Sequence, residues 1–267
     1  MIKKFIGFLF DIWKERKTIL ELAKNDFRAK YTNSILGIVW AFAVPFSTIL
    51  IMWFVFEFGF RSAPVDDVPF ILFYIPAFLA WNYFSDAFSS ASGCLWEYSY
   101  MIKKMRFRVS VLPIVKLISA GFVHLFFICI IFIMFGLYGY KISIYNFQVF
   151  YYFFALDVLL IGLTWLCSAL AVFSKDIGNM ISVILQVGFW ATPIVWVPNN
   201  LPENVSIILK CNPMYYICNG YRESFIYHKW FWESKAEFIY FWVITAIVFV
   251  IGANMFRRLR PQFADVM

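Results

Sequence analysis

Histidines, cysteines and carboxylates are the residues that could carry catalysis or hold a metal, and this sequence spaces none of them for either task. Its two histidines are His124, inside an apolar run, and His228. Neither stands at metal-ligand spacing or in a nucleophile–base pattern. The five cysteines are scattered, and Cys211 and Cys218 stand seven apart, too far for a disulfide if that stretch is helical. No G-x-x-x-x-G-K-[ST] loop occurs, so ATP is not expected to bind this chain through a phosphate loop. The expectation is of no catalytic residue, no metal and no cofactor of its own. Asp86 and Asp157 interrupt apolar stretches, where a charge is costly unless it faces a bundle interior, water or lipid headgroups. His124 reads first as a satisfied polar residue within a span and only second as a proton relay.

The elements that must position these residues are membrane helices. The 267 residues are 63% hydrophobic and 15% charged, with a mean hydropathy of +0.74. Soluble domains run near half apolar and a quarter charged. An apolar helix of roughly 20 residues crosses a hydrocarbon core of about 30 Å with its backbone hydrogen bonds made internally. Residues 35–56, 117–140 and 177–202 contain no Asp, Glu, Lys or Arg, and 238–256 is similar but shorter. Two weaker candidates are 68–93, carrying Asp86, and 142–174, carrying Asp157. The sequence therefore predicts an all-α membrane protein of six transmembrane helices in one domain. Its N-terminus starts like a signal peptide, but the apolar run at 5–10 meets Asp11 and no small-residue cleavage site comes after it, so retention is expected.

Six crossings place both termini on one side of the membrane. Seventeen of the 23 Lys and Arg residues fall on that side and six on the other, which predicts cytoplasmic termini. The net charge of +7 reflects this asymmetry, and binding of nucleic acid is not expected.

Three stretches are not expected to cross. Residues 12–31 put Ile12, Trp13, Ile19, Leu20, Ala23, Phe27 and Tyr31 on one helical stripe, which predicts an amphipathic helix lying on the cytoplasmic leaflet. It is either a plain membrane anchor or a place where Arg28 and Lys30 meet an anionic headgroup. Residues 96–108, WEYSYMIKKMRFR, are basic and free of Gly and Pro, and read as a short cytoplasmic helix that docks a partner or as an ordinary basic loop. Residues 198–237 are too apolar for a free loop; Pro213 and Gly220 divide them into pieces too short to cross, which predicts short re-entrant or boundary helices before the last span. Those pieces are either a gate or an aromatic belt.

The local sequence also resembles a known family. RAKYTNSILGIVWAFAVPF at 28–46, with Lys30, Tyr31, Leu36, Gly37, Trp40 and Pro45, resembles the start of the first span in permease subunits of ABC transporters that export O-antigen, capsule or teichoic acid. YMIKKMRF at 100–107, FSKDIGN at 173–179, QVGFWATPIVW at 186–196 and NPMYYICNGYRESF at 212–225 resemble further family segments in the same order, as does the tail RRLRPQFADVM. Arg108 departs from the pattern, since many relatives have Pro there.

The resemblance implies a division into 1–33 as the interfacial helix, 34–197 as spans one to five, 198–235 as an outer gate, 236–257 as the last span and 258–267 as a cytoplasmic tail. It implies a homodimeric channel in a bacterial cytoplasmic membrane, with two copies of a separate ATPase subunit that hold ATP and Mg. The cargo would be a polymer on undecaprenyl diphosphate. Under it, Arg28, Lys30 and Tyr31 would meet the lipid diphosphate. Trp96, Glu97, Lys103, Lys104 and Arg106 would contact the ATPase. Trp81, Tyr83, Phe84, Trp190, Tyr215 and Tyr216 would line the glycan channel and outer gate. The alternatives are an ABC permease for a drug or plain lipid, a membrane enzyme acting on lipid-linked sugars, and a scaffold without transport.

Overall fold

A computed structural model describes residues 15–32, 35–60, 64–104, 108–197 and 202–267. Ile12, Trp13 and Arg106 lie outside them. Among the described residues the regular structure is helical, and one isolated antiparallel bridge joins Val65 and Val68. In chain order the helices are α1 (Arg16–Tyr31), α2 (Val39–Phe54), α3 (Phe70–Glu97), α4 (Ser99–Lys104), α5 (Leu112–Leu137), α6 (Val149–Ala171), α7 (Asp176–Ala191), α8 (Glu203–Lys210), α9 (Pro213–Arg222), α10 (Lys235–Leu259) and α11 (Phe263–Val266). Single π-turns extend α2 to Gly59 and α9 to Tyr227.

Among the described residues four stretches are long and apolar enough to cross a membrane: Val39–Gly59, Val109–Leu137, Ile144–Ala171 and Lys235–Gln262. They contain α2, α5, α6 and α10. The other two expected spans differ in kind. Helix α3 has the length, but twenty of its 28 residues are buried by the rest of this chain, so protein rather than lipid surrounds it. That position tolerates Asn82, Ser85, Asp86, Ser89, Ser90 and Ser92, which lower its hydropathy. Helix α7 ends at Ala191, not near Pro202 as expected, and its 16 residues span roughly 24 Å at the usual rise. The chain turns extended at Thr192, and Pro193 comes next, which cannot supply the following helical hydrogen bond.

The core sits around α3, which packs on α5, α6, α7 and α9, while α10 lies along α6. The α6–α10 crossing is close because Gly162 faces Gly252; a Cβ on Gly162 would come within 2.8 Å of the Phe249 backbone.

Two short elements also differ from expectation. Trp96 and Glu97 form the last turn of α3, and the separate helix is only Ser99–Lys104, because the backbone departs from helical geometry at Tyr98. In the stretch before the last span, Pro213 does separate α8 from α9, but Gly220 lies inside α9. It is there because the Tyr152 ring occupies the space of a Cβ. Helix α9 buries Met214, Tyr216, Ile217, Cys218, Tyr221 and Arg222 in the bundle.

Candidate functional site

The expected site residues gather in three places along α3. Where α1 meets α2, the chain turns through Gly37, whose φ of +50° favours a residue without a Cβ. Arg28, Tyr31 and Thr32 on one side and Leu36, Ile38, Val39 and Phe42 on the other line an open cleft of about 540 Å³. One rim offers the Arg28 guanidinium and the Tyr31 hydroxyl, the Thr32 hydroxyl donating to the Arg28 carbonyl at 2.7 Å, and the other wall is hydrocarbon. Such a cleft suits an anionic head carried on an apolar tail.

Lys30 does not line this cleft. Its ammonium is 2.7 Å from Asp86 on α3. Burial works against that charge, but the neighbouring Asp86 carboxylate outweighs it and raises Lys30 above the ordinary lysine range. Asp86 thus faces a counter-charge rather than lipid.

The C-terminal end of α3 holds a buried ionic cluster. Lys116, at the start of α5, is 2.6 Å from Asp26 of α1 and 2.7 Å from Glu97 of α3. Tyr98 donates to Asp26 at 2.6 Å, and the Lys116 ammonium lies 5.2 Å from the Tyr98 ring centre. Burial, and then Asp26, push the Tyr98 phenol well above its usual range. Trp96 donates to the Ala171 carbonyl at 2.9 Å, tying the end of α3 to the end of α6. Lys103 is exposed on α4, which also contains Lys104. The C-terminal segment folds back here, with Phe263 buried beside Phe256, Leu95 and Leu112.

The N-terminal half of α3 meets α9 and the segment after α7 around Arg222. Its guanidinium donates to the carbonyls of Phe73, Pro193 and Ile194 at 3.0, 2.7 and 2.8 Å and lies 3.7 Å from the centre of the Phe73 ring. Arg222 thus satisfies two carbonyls of the non-helical segment that follows α7, together with that of Phe73. Nearby, Tyr83 donates to Asp157 and stacks on His124, whose Nε2 is 2.7 Å from the Tyr221 hydroxyl.

The expected channel aromatics separate into two groups. Trp81 packs against Gly188 and Phe189, Phe84 stacks on Phe88, and Tyr216 bonds the Tyr151 hydroxyl, so these rings and Tyr83 lie in this chain's own core. Trp190 is 60% exposed, and Tyr215 is half-buried. Trp190 extends an exposed polar stripe on α7 made by Asn179, Ser182 and Gln186 at helical spacing. Only Ile181 and Leu185 of that helix are buried.

Sequence reasoning did not single out Asp26, Lys116 or Arg222 for these roles. Signals were present: Asp26 continues the Ile19–Ala23 stripe at helical spacing, Lys116 opens an uncharged run, and Arg222 sits in an apolar, aromatic segment. The α7 stripe was equally readable, as three amide and hydroxyl residues at three- and four-residue intervals.

Comparison with known proteins agrees along the whole chain. The family profile described as ABC-2 type transporter matches residues 17–226. Two proteins of Klebsiella pneumoniae named O-antigen export system permease protein RfbA are similar, at 26% identity over 271 residues and 25% over 277. Each alignment covers 100% of this chain and 98% of the relative. A protein of the same name from Myxococcus xanthus is 20% identical over 263 residues, covering 97% of this chain and 99% of the relative.

Proposed function

The chain belongs to the ABC-2 type transporter family, whose members are transport subunits, and from that premise we propose that it is the channel-forming permease of an ABC exporter for a polysaccharide on undecaprenyl diphosphate. The observation that carries this reading is end-to-end similarity to permeases named for O-antigen export. A separate ATPase subunit, in two copies, would supply the energy and hold ATP and Mg. Six crossings result if α3 and α7 cross together with the four apolar helices, which leaves both termini in the cytoplasm of a bacterial inner membrane.

Two features give this reading a physical path. The cleft pairs the Arg28 guanidinium and the Tyr31 hydroxyl with an apolar wall, as a lipid diphosphate requires. Lys30 contributes through its hold on Asp86, which fixes the end of α1. Ser182 donates to the Gly178 carbonyl, but the exposed amides of Asn179 and Gln186 would be costly against lipid, which favours a wet conduit shared with a second copy of the chain. Trp190 and Tyr215 then meet the glycan, and the enclosed rings of Trp81, Tyr83, Phe84 and Tyr216 shape the wall behind them. Trp96, Glu97, Lys103, Lys104 and Arg106 cluster in sequence around α4, which in this reading would receive motion from the ATPase.

Deletion of the gene tests the reading directly. Loss of surface glycan with lipid-linked polymer accumulating inside the cell is the expected result; normal surface glycan would overturn it. The cleft would suit a plain anionic lipid equally well, and that reading gains if lipid composition changes while glycan does not. Arg28→Gln with Tyr31→Phe should lower the stimulation of ATP hydrolysis by undecaprenyl diphosphate while the complex still assembles.

A further inference from the structure

Three elements that are distant in sequence meet at Lys116. Its side chain is 8% exposed, Asp26 on α1 is 4% exposed, and Glu97 at the end of α3 is 57% exposed. Tyr98, the residue between α3 and α4, adds a bond to Asp26. Its backbone carbonyl accepts from Ile102 of α4 at 3.1 Å, and both side chains pack on the cluster around Leu95 and Phe263. A displacement of α4 is therefore carried into Tyr98 and Glu97, and from them into Lys116 and Asp26.

Helix α1 is held to this hub along its length. Ile19 and Ala23 pack on Val111 and Val115, the Phe27 ring lies 6.0 Å from Phe122, and Lys30 bonds Asp86. The connection from α1 to α2 is held differently. It turns at Gly37, and the elbow cleft separates Arg28 and Tyr31 from Val39 and Phe42. The packing thus gives one tied body and a glycine turn, and across the cleft the start of α2 touches α5 through Phe42, whose ring lies 4.4 Å from that of Phe126.

We infer that Lys116 is a positioning residue that makes α1, α4 and the end of α3 move as one body, so that displacement of α4 changes the width of the elbow cleft. A lysine shared by two carboxylates on different elements suits this role, because losing either bond leaves a charge in a partly dry site. The ammonium therefore holds both elements at once. The inference deepens the proposed function and rests on it for what moves α4; the tie between α1 and α4 stands on the packing alone.

The test uses genetically encoded spin labels at Lys24 and Lys103, which are exposed on α1 and α4, in the full chain reconstituted in nanodiscs. One narrow distance distribution is expected for the unsubstituted chain. Lys116→Met should broaden it, Lys116→Arg should narrow it again, and Asp26→Asn provides a near-isosteric variant where Lys116→Met fails to fold. A distribution unchanged in Asp26→Asn and in a folded Lys116→Met overturns the inference. In the complex with the ATPase, Asp26→Asn should leave assembly and basal ATP hydrolysis unchanged and reduce stimulation by undecaprenyl diphosphate at least fivefold. Retained stimulation overturns the inference as well. If the unsubstituted complex does not respond to undecaprenyl diphosphate, the substrate reading fails, and the label distances still decide the hub.

Discussion

Toward each end of α3 the fold buries a cation, and the two are satisfied in opposite ways. Arg222 has neutral partners: three carbonyls from two segments and the face of one ring. Lys116 has two carboxylates and a tyrosine from two segments, and one of those carboxylates is half open to the surroundings. A planar fork that fills several carbonyls has one geometry and resists displacement. An ammonium between carboxylates keeps most of its energy through small reorientations, because Coulomb attraction falls slowly with distance. The difference separates a fixed end, where α7, α9 and α3 are stapled, from an end built to move as a unit.

Substitutions can break or sharpen this contrast. Arg222→Met removes three charge-assisted bonds and leaves carbonyls unpaired, an expected loss on the order of 5 kcal/mol. Thermal unfolding of the purified chain followed by tryptophan fluorescence should show it, and Arg222→Lys should rescue little because one ammonium cannot reproduce the fork. At the other end, Lys116→Met leaves Asp26 charged and buried, at an expected loss of about 3–5 kcal/mol. Here Lys116→Arg should recover most of the stability in the same measurement; equal rescue at both sites would erase the distinction between staple and hub.

A smaller effect belongs to the turn before α3. Asp66 and Asp67 have φ values of 50° and 63°, and Tyr227 donates to Asp66 at 2.8 Å. Asp67→Gly keeps that bond, removes one strained residue and should raise stability by about 1 kcal/mol in thermal unfolding. No gain would show that the turn is relaxed by its surroundings.

The smallest effect is expected at Lys30, whose pair with Asp86 has both side chains 42% exposed. Lys30→Gln should cost under about 1 kcal/mol, and less at high salt. Because the folded state raises the Lys30 pKa, the contribution is fully present below the ordinary value of 10.5 and is lost only as pH rises above it. A melting temperature for Lys30→Gln equal to that of the unsubstituted chain at neutral pH and low salt would remove this tie from α1.

Much of the helix plan is legible in the sequence. Apolar run length gives α2, α5, α6 and α10, and the stripe through Ile19 and Ala23 gives α1, because both patterns depend only on local spacing. Helix α7 is shorter than its apolar run because the backbone turns extended at Thr192 before Pro193, and run length alone does not show that Arg222 takes the carbonyls of Pro193 and Ile194 beyond it. The candidate site is less legible. Arg28 and Tyr31 do face one cleft, but Lys30 turns to Asp86, a partner 56 positions away. Trp81, Tyr83 and Tyr216 look like channel rings in the sequence because an aromatic scores the same whether lipid, sugar or neighbouring helices surround it.

Composition and charge asymmetry by themselves determined that this chain is a helical membrane protein, and its local motifs pointed to a transporter family. Those properties arise from what each segment requires of its solvent. Which polar groups meet was decided only by the tertiary structure: Lys116 with Asp26 and Glu97, Arg222 with the end of α7, His124 with Tyr221. The physical reason is that a buried charge must find its partner in space, and the partners here lie between 19 and 149 residues apart along the chain.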